Sequence, residues 1–178
     1  MKKLTFILIV FIVFSCQEGN ETTKNKEVLV QLKTFEEQEI TETNTKKFIE
    51  DYVHDVNSTE WKSKISKYMQ PYPEEFLKEH SAFRTSFQNY NSTIKHLTIA
   101  GNQGMVWLSV TANYSENYDF ENSDYGDELF SGIEAKNQSL SWDEIWYFNV
   151  VDGKFGDQWD FIKDNHKIMK DLKVAETL

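Results

Sequence analysis

The run LSWDEIWYFNVV at 140–151, followed by Asp152-Gly153 and then Lys154–Trp159, constrains this chain more than any other stretch. Aromatic and β-branched residues dominate it, which suits an extended strand. Asp-Gly is the preferred pair for a two-residue hairpin turn, because both central positions take positive φ. Lys154–Trp159 therefore returns antiparallel beside the first strand. Further upstream the same two-residue period recurs. Thr93–Ala100 reads as a strand, Gly101-Asn102 as a turn, and Met105–Tyr114 as a longer strand. In the latter, Val106, Leu108, Val110 and Ala112 alternate with Trp107, Ser109 and Thr111.

Before Asn91 the period is helical. Phe48, Tyr52 and Val56 repeat every four residues from about Thr43, and Ile49 and Val53 widen the stripe. A short second helix runs from Thr59, as N-cap, through Trp61, Ile65 and Tyr68 to Met69, where Pro71 and Pro73 break it. Pro73 opens a third helix with Glu74 and Glu75 in its first turn, where the helix dipole favours acids. Its inner face is predicted to carry Phe76, Leu77, His80, Phe83, Phe87 and Tyr90. A last helix, about Asp164 to Leu172, turns Ile168, Met169 and Leu172 inward. Helices, antiparallel strands and a closing helix make an α+β domain. Its helices pack into the concave side of a curved sheet, an arrangement that commonly leaves a pocket between them.

The chain opens MKKLTFILIVFIVFSC. Two lysines, an apolar run and a small residue before the cysteine have the layout of a secretory signal. The pattern resembles a bacterial lipoprotein lipobox, in which the cysteine is acylated and becomes the new first residue. An ordinary cleaved signal or a truncated anchor helix is the alternative. The apolar run of about 11 residues is too short to span a hydrocarbon core of roughly 30 Å. The expected organisation is a signal peptide at 1–15, lipidated Cys16 with a polar tether to 42, and a domain at 43–178. As a flexible coil the tether would reach on the order of 28 Å. Val28, Leu29, Val30, Leu32 and Phe35 interrupt it as apolar residues able to dock. The expected location is the cell envelope, at the periplasmic face or cell surface, with acyl chains such as palmitate as anchor.

A net charge of −10 and a pI near 4.9 argue against nucleic acid and against docking on anionic headgroups. Membrane attachment must come from the lipid. Cys16 is the single cysteine, which excludes an internal disulfide and a thiolate metal cluster. His54, His80, His96 and His166 lack metal-binding spacing. The acids from Glu116 to Glu128 (Asp119, Glu121, Asp124 and Asp127 among them) miss the EF-hand pattern and read as a solvated loop. Neither a metal nor another cofactor is expected.

The stretches HSAFRTSFQNYNSTIKHLTIAGNQGMVWLSV (80–110) and GDELFSGIEAKNQSLSWDEIWYFNVVDGKFGDQWDFIKDNHKIMKDL (126–172) resemble the SnoaL-like polyketide cyclase and ester cyclase branch of the nuclear transport factor 2-like superfamily. The resemblance spans roughly residues 43–173 and implies a cystatin-like cone. That fold hosts isomerases, cyclases, dehydratases, carriers and proteins without chemistry. In the cyclases an acid four residues after the return-strand tryptophan acts in proton transfer. Here position 163 is Lys, Asp164 follows it, and Asp160 stands directly after Trp159. Tyr125-Gly126 occupies the place where the cyclase pattern tends to a histidine or threonine.

His80 is a candidate base or hydrogen-bond donor, or else a satisfied core histidine. Asp164 is a displaced catalytic acid or an N-cap. Glu144 shares a strand face with Trp142, Trp146 and Phe148. If that face is inward, its pKa rises by desolvation and it suits a proton shuttle. If not, Asp143, Ile145 and Tyr147 point inward instead. Trp107, Trp142, Trp146, Trp159 and Tyr147 are candidates for a ligand pocket, or plain core. The function expected is binding of a small apolar or amphipathic molecule. Alternatives are a cofactor-independent acid–base enzyme of cyclase or isomerase type, and a non-catalytic interaction module. The last would have its pocket filled by its own side chains and could pair with a second copy as a homodimer through the sheet.

Overall fold

The structure, a computed structural model, describes residues 21–69, 73–118, 130 and 132–172. Two compact units divide the chain, Met1–Glu37 and Gln38–Leu178. Helix α1 covers Glu21–Val56, α2 covers Trp61–Ile65 and runs into a 3₁₀ turn at Ser66–Tyr68, and α3 covers Pro73–Ser86. Strands β1 (Phe87–Ala100), β2 (Gln103–Tyr114), β3 (Gln138–Val151) and β4 (Lys154–Lys163) follow, and α4 (Asn165–Asp171) closes the order. The strands form one antiparallel sheet in sequence order. This is the α+β layout expected, with helices packed on a curved antiparallel sheet.

Turn chemistry fixes the sheet. Asp152 and Gly153 have φ of 50° and 72°, the pair of positive values that a type I′ turn demands. Side-chain alternation fixes its facing. Val106, Leu108, Val110 and Ala112 of β2 are buried, as are Leu140, Trp142, Glu144, Trp146 and Phe148 of β3. Met105, Trp107, Ile145 and Tyr147 between them are exposed. At Gly104 an added Cβ would lie 2.6 Å from Phe148 Cζ and 2.7 Å from Ile99 Cδ1, so Phe148 lies over β2 only because glycine is there.

The apolar stripe of α1 covers the inner face. Ile49, Tyr52, Val53 and Val56 are buried. Phe48 and Tyr52 each meet Phe155 edge-on at 4.9 Å, and meet Tyr68 at 5.3 and 5.4 Å. Edge-to-face packing of this kind adds about 0.5–1.5 kcal/mol per pair beyond area burial. The Asn57 amide ties the end of α1 to β1, donating to Ser92 O and accepting from Ser92 N, both at 2.7 Å.

Three elements differ from the sequence-based expectation, one of them β4, which runs on to Lys163 rather than ending at Trp159. The segment expected as a coil is helical from Glu21, since nothing between 21 and 56 is Gly or Pro and good helix formers are frequent. Its apolar residues Val28, Leu29, Val30, Leu32 and Phe35 are exposed. Strand β1 begins at Phe87 rather than Thr93, so Phe87 and Tyr90 belong to the sheet and not to α3. A bulge at Gln88–Asn91, with Asn89 at φ 54°, lets both rings face inward although they are three positions apart. Of the acidic loop, Asp119, Glu121, Asp124, Asp127 and Glu128 lie outside the described residues, as does Tyr125-Gly126. Among the described residues no group of acids, histidines or cysteines gathers to hold a metal.

Asp55 anchors the 3₁₀ turn to α1. Its Oδ2 accepts from Tyr68 Oη at 2.7 Å and from Lys67 Nζ at 2.9 Å, and His54 Nδ1 lies 3.3 Å from Oδ1. Burial raises the carboxyl pKa, but the bonds from Lys67, Tyr68 and His54 outweigh it and bring the value from 3.8 to about 2. Because the folded value is the lower one, this stabilisation is complete above the unfolded value and is lost as pH falls toward 2. Asp55→Asn is expected to lower the unfolding free energy by about 1–2 kcal/mol at neutral pH. Urea midpoints taken against pH should show that difference shrinking below about pH 4.

Candidate ligand site in the cone interior

Strand β3 sets the floor of the site. Its period of two turns Trp142, Glu144 and Trp146 to the same inner face. Glu144 is 4% exposed, and its two oxygens accept from the two indoles, Oε1 from Trp142 Nε1 at 2.7 Å and Oε2 from Trp146 Nε1 at 2.8 Å. A buried carboxylate persists only when its lone pairs are used, and here two neutral donors use one oxygen each.

Helix α3 and strand β4 build the walls. The His80 ring stacks on Phe76 at 5.4 Å, meets Trp61 edge-on at 5.0 Å, and faces Tyr90 at 6.2 Å. Phe76 touches Trp159 at 5.3 Å, and Trp159 stacks on Phe155 at 4.9 Å and meets Trp146 at 5.8 Å. Tyr52 of α1 meets Trp146 at 5.6 Å. Among these rings three buried polar atoms have no protein hydrogen-bond partner among the described residues: Tyr52 Oη, His80 Nε2 and Trp159 Nε1. They come from α1, α3 and β4. At one end of this aromatic lining, where Tyr118 meets Phe83 and Phe130, a depression of about 280 Å³ is bordered by Asn117, Tyr118, Phe130, Gly132, Ile133 and Glu134.

The electrostatics follow from burial. Burial, then the nearby charges of Arg84 and Lys163, bring the His80 pKa from 6.5 to about 3, so the imidazole is neutral. Burial likewise pushes the phenols of Tyr52 and Tyr90 well above the ordinary tyrosine value, and the Glu144 charge adds to both. Sequence reasoning missed Arg84, although its spacing of four from His80 on one helix put both on one face. Its Nη1 donates to Val56 O at 3.0 Å, and its guanidinium lies over Tyr90 at 4.6 Å and over Trp61 at 5.3 Å.

The structure brings together His80, Glu144, Trp142, Trp146 and Trp159. It does not bring in Trp107 or Tyr147. Trp107 stands between two inward residues of β2, pairs with Ile145 across the sheet, and is 43% exposed on the outer face. Tyr147, one residue out of phase with Trp146, is 44% exposed there. Met105, Ile145 and Ile162 share that outer face, and Lys95 Nζ lies 4.9 Å from the Trp107 ring centroid. Asp164 is exposed and caps α4, Oδ1 accepting from Lys167 N at 3.0 Å. Cys16 lies outside the described residues, and among those described no helix is long and apolar enough to cross a membrane.

Solved structures show the same arrangement of helices on a sheet. AclR of Streptomyces galilaeus, assigned as a hydroxylase, aligns with a TM-score of 0.61 at 15% identity over 75% of this chain and 98% of its own. A protein from Jannaschia sp. CCS1 assigned as a SnoaL-like polyketide cyclase gives 0.60 at 12% identity, over 74% and 93%. An NTF2-like protein from Burkholderia thailandensis gives 0.53 at 9% identity, over 72% and 96%. The fold is the nuclear transport factor 2-like cone. No protein-family profile matches the sequence, and no curated protein matches it significantly.

Within this cone the Glu144 clamp is open to direct test. Glu144→Gln keeps the shape but replaces one acceptor oxygen with an N–H₂ group, which then faces an indole N–H. The variant is expected to lose about 1–3 kcal/mol of stability, the cost of a buried donor left unpaired. Thermal unfolding of the variant beside wild type measures it.

Proposed function

We propose that the cone domain binds a small apolar or amphipathic molecule in its aromatic interior, and that acyl chains on Cys16 hold the protein at a membrane. The observation that carries the binding reading is the set of three buried, unpartnered polar atoms on three different elements, Tyr52 Oη, His80 Nε2 and Trp159 Nε1. Buried polar groups in folded proteins are paired as a rule, so each exception asks for a reason. An indole N–H can only donate, so a partner for Trp159 must bring an acceptor atom. The rings around it favour an apolar body.

The candidate acid–base groups support binding over proton transfer. A histidine whose pKa is about 3 is a weak base at neutral pH. Glu144 already spends both oxygens on indoles, and Asp164 is engaged as an exposed helix cap.

Methyl 2-naphthoate, a neutral aromatic ester with acceptor oxygens, is a suitable probe. It is expected to quench the interior tryptophans saturably, and Trp159→Phe is expected to weaken it by up to about tenfold, the worth of one hydrogen bond. Absence of saturable quenching would overturn the proposal. His80→Leu is expected to raise the unfolding midpoint, most clearly below pH 6.5, where the unfolded chain gains a proton that the buried imidazole refuses. Retention of Cys16→Ala in the membrane fraction would refute the anchor, since that variant is expected to become soluble.

A further inference from the structure

We propose that Arg84 receives an anionic group of the bound molecule, so that the ligand is an amphipathic carboxylate with its apolar body among the rings. This rests on the binding reading above and adds the chemical class of the ligand.

The chain carries 29 acidic residues against 19 basic ones. Yet among the described residues no carboxylate comes within 4.0 Å of Arg84, whereas lysines on the surface find one repeatedly. Arg84 is half-buried. Among the described residues it makes one hydrogen bond, to Val56 O at 3.0 Å, and has the faces of Tyr90 and Trp61 beside it. A guanidinium has five N–H donors in a planar fork that fits a carboxylate two bonds at a time. One backbone oxygen leaves most of that capacity unused. The acid that is buried in the same interior, Glu144, cannot serve, because both its oxygens are bonded to indoles.

Charge removed from water without a counter-ion is unfavourable, and a carboxylate carried by the ligand would supply one. Lys163 at the end of β4, with Nζ 4.8 Å from the Phe83 ring centroid, adds a second positive charge to this side. The depressed His80 pKa, to which both cations contribute, agrees with that placement. Position along the site follows as well. The Glu144 charge repels an anion from the β3 floor, so the head sits at α3 and the body extends toward Trp146 and Trp159.

The test compares 2-naphthoate with methyl 2-naphthoate, which share a ring system and differ in charge. Wild type is expected to bind the carboxylate about tenfold or more tightly than the ester. Arg84→Gln should abolish that preference while holding the ester within about twofold, and ester binding then certifies that the variant is folded. Arg84→Lys, which keeps the charge and loses the fork, should fall between the two. Should Arg84→Gln not fold, an unreduced preference in Arg84→Lys overturns the assignment and a reduced one supports it. Equal binding of both probes by wild type, or a preference that survives Arg84→Gln, overturns the anion site and leaves the binding pocket standing. Failure of wild type to bind either probe overturns both.

Discussion

The bond pair from Trp142 and Trp146 to the carboxylate of Glu144 is the constraint on which the interior depends. A buried acid needs partners, and the partners are its own neighbours two residues away on the same strand. The three side chains share one strand face and move as a unit, so burying the two indoles buries the carboxylate already paired with them. Once β3 faces inward at its even positions, the antiparallel register carries the choice to β2, where Val106 and Leu108 oppose Trp146 and Glu144. It carries the choice to β4 as well, where Trp159 opposes Phe148. The helices then have one apolar surface to cover, and the stripe of α1 covers it with Tyr52 and Ile49.

Much of this was legible before any coordinates. The Asp-Gly hairpin, the β2 alternation and the helical stripe at Phe48, Tyr52 and Val56 are local signals, and each element formed where its period placed it. The face of β3 was not legible from its own residues, because polar and aromatic side chains alternate on both sides. Information to settle Trp107 was nonetheless present. Val106, Leu108, Val110 and Ala112 define an inner face by themselves, and an odd-numbered tryptophan between them belongs outside. The bulge at Asn89 was not legible, since a positive φ at asparagine leaves no trace in an apolar pattern. It moved Phe87 and Tyr90 from a helix into a strand. Arg84 escaped notice for another reason: a charged residue in a helical pattern reads as a solvated face, and what marks it out is that no carboxylate among the described residues pairs with it.

The outer face of the sheet obeys different rules. Met105, Trp107, Ile145, Tyr147 and Ile162 stand on three neighbouring strands with their side chains exposed. Lys95 and Asp143 on that face pair with one another at 2.8 Å. The two faces therefore divide the tryptophans between a buried, hydrogen-bonded role and an exposed, apolar one, and tryptophan content alone could not tell them apart.

Helix α3 ends at Ser86 and β1 begins at Phe87, with no intervening residue. His80, Arg84 and Tyr90 therefore belong to one unbroken piece of regular backbone, in which helix and sheet share a junction without a linker. A helix attached in this way has no hinge at its C-terminal end, and swinging it off the sheet would require unpairing the first residues of β1. The cationic wall is thus as stationary as the sheet itself. Any rearrangement of this wall would have to begin by opening the β1–β2 pairing at Phe87 and Tyr114.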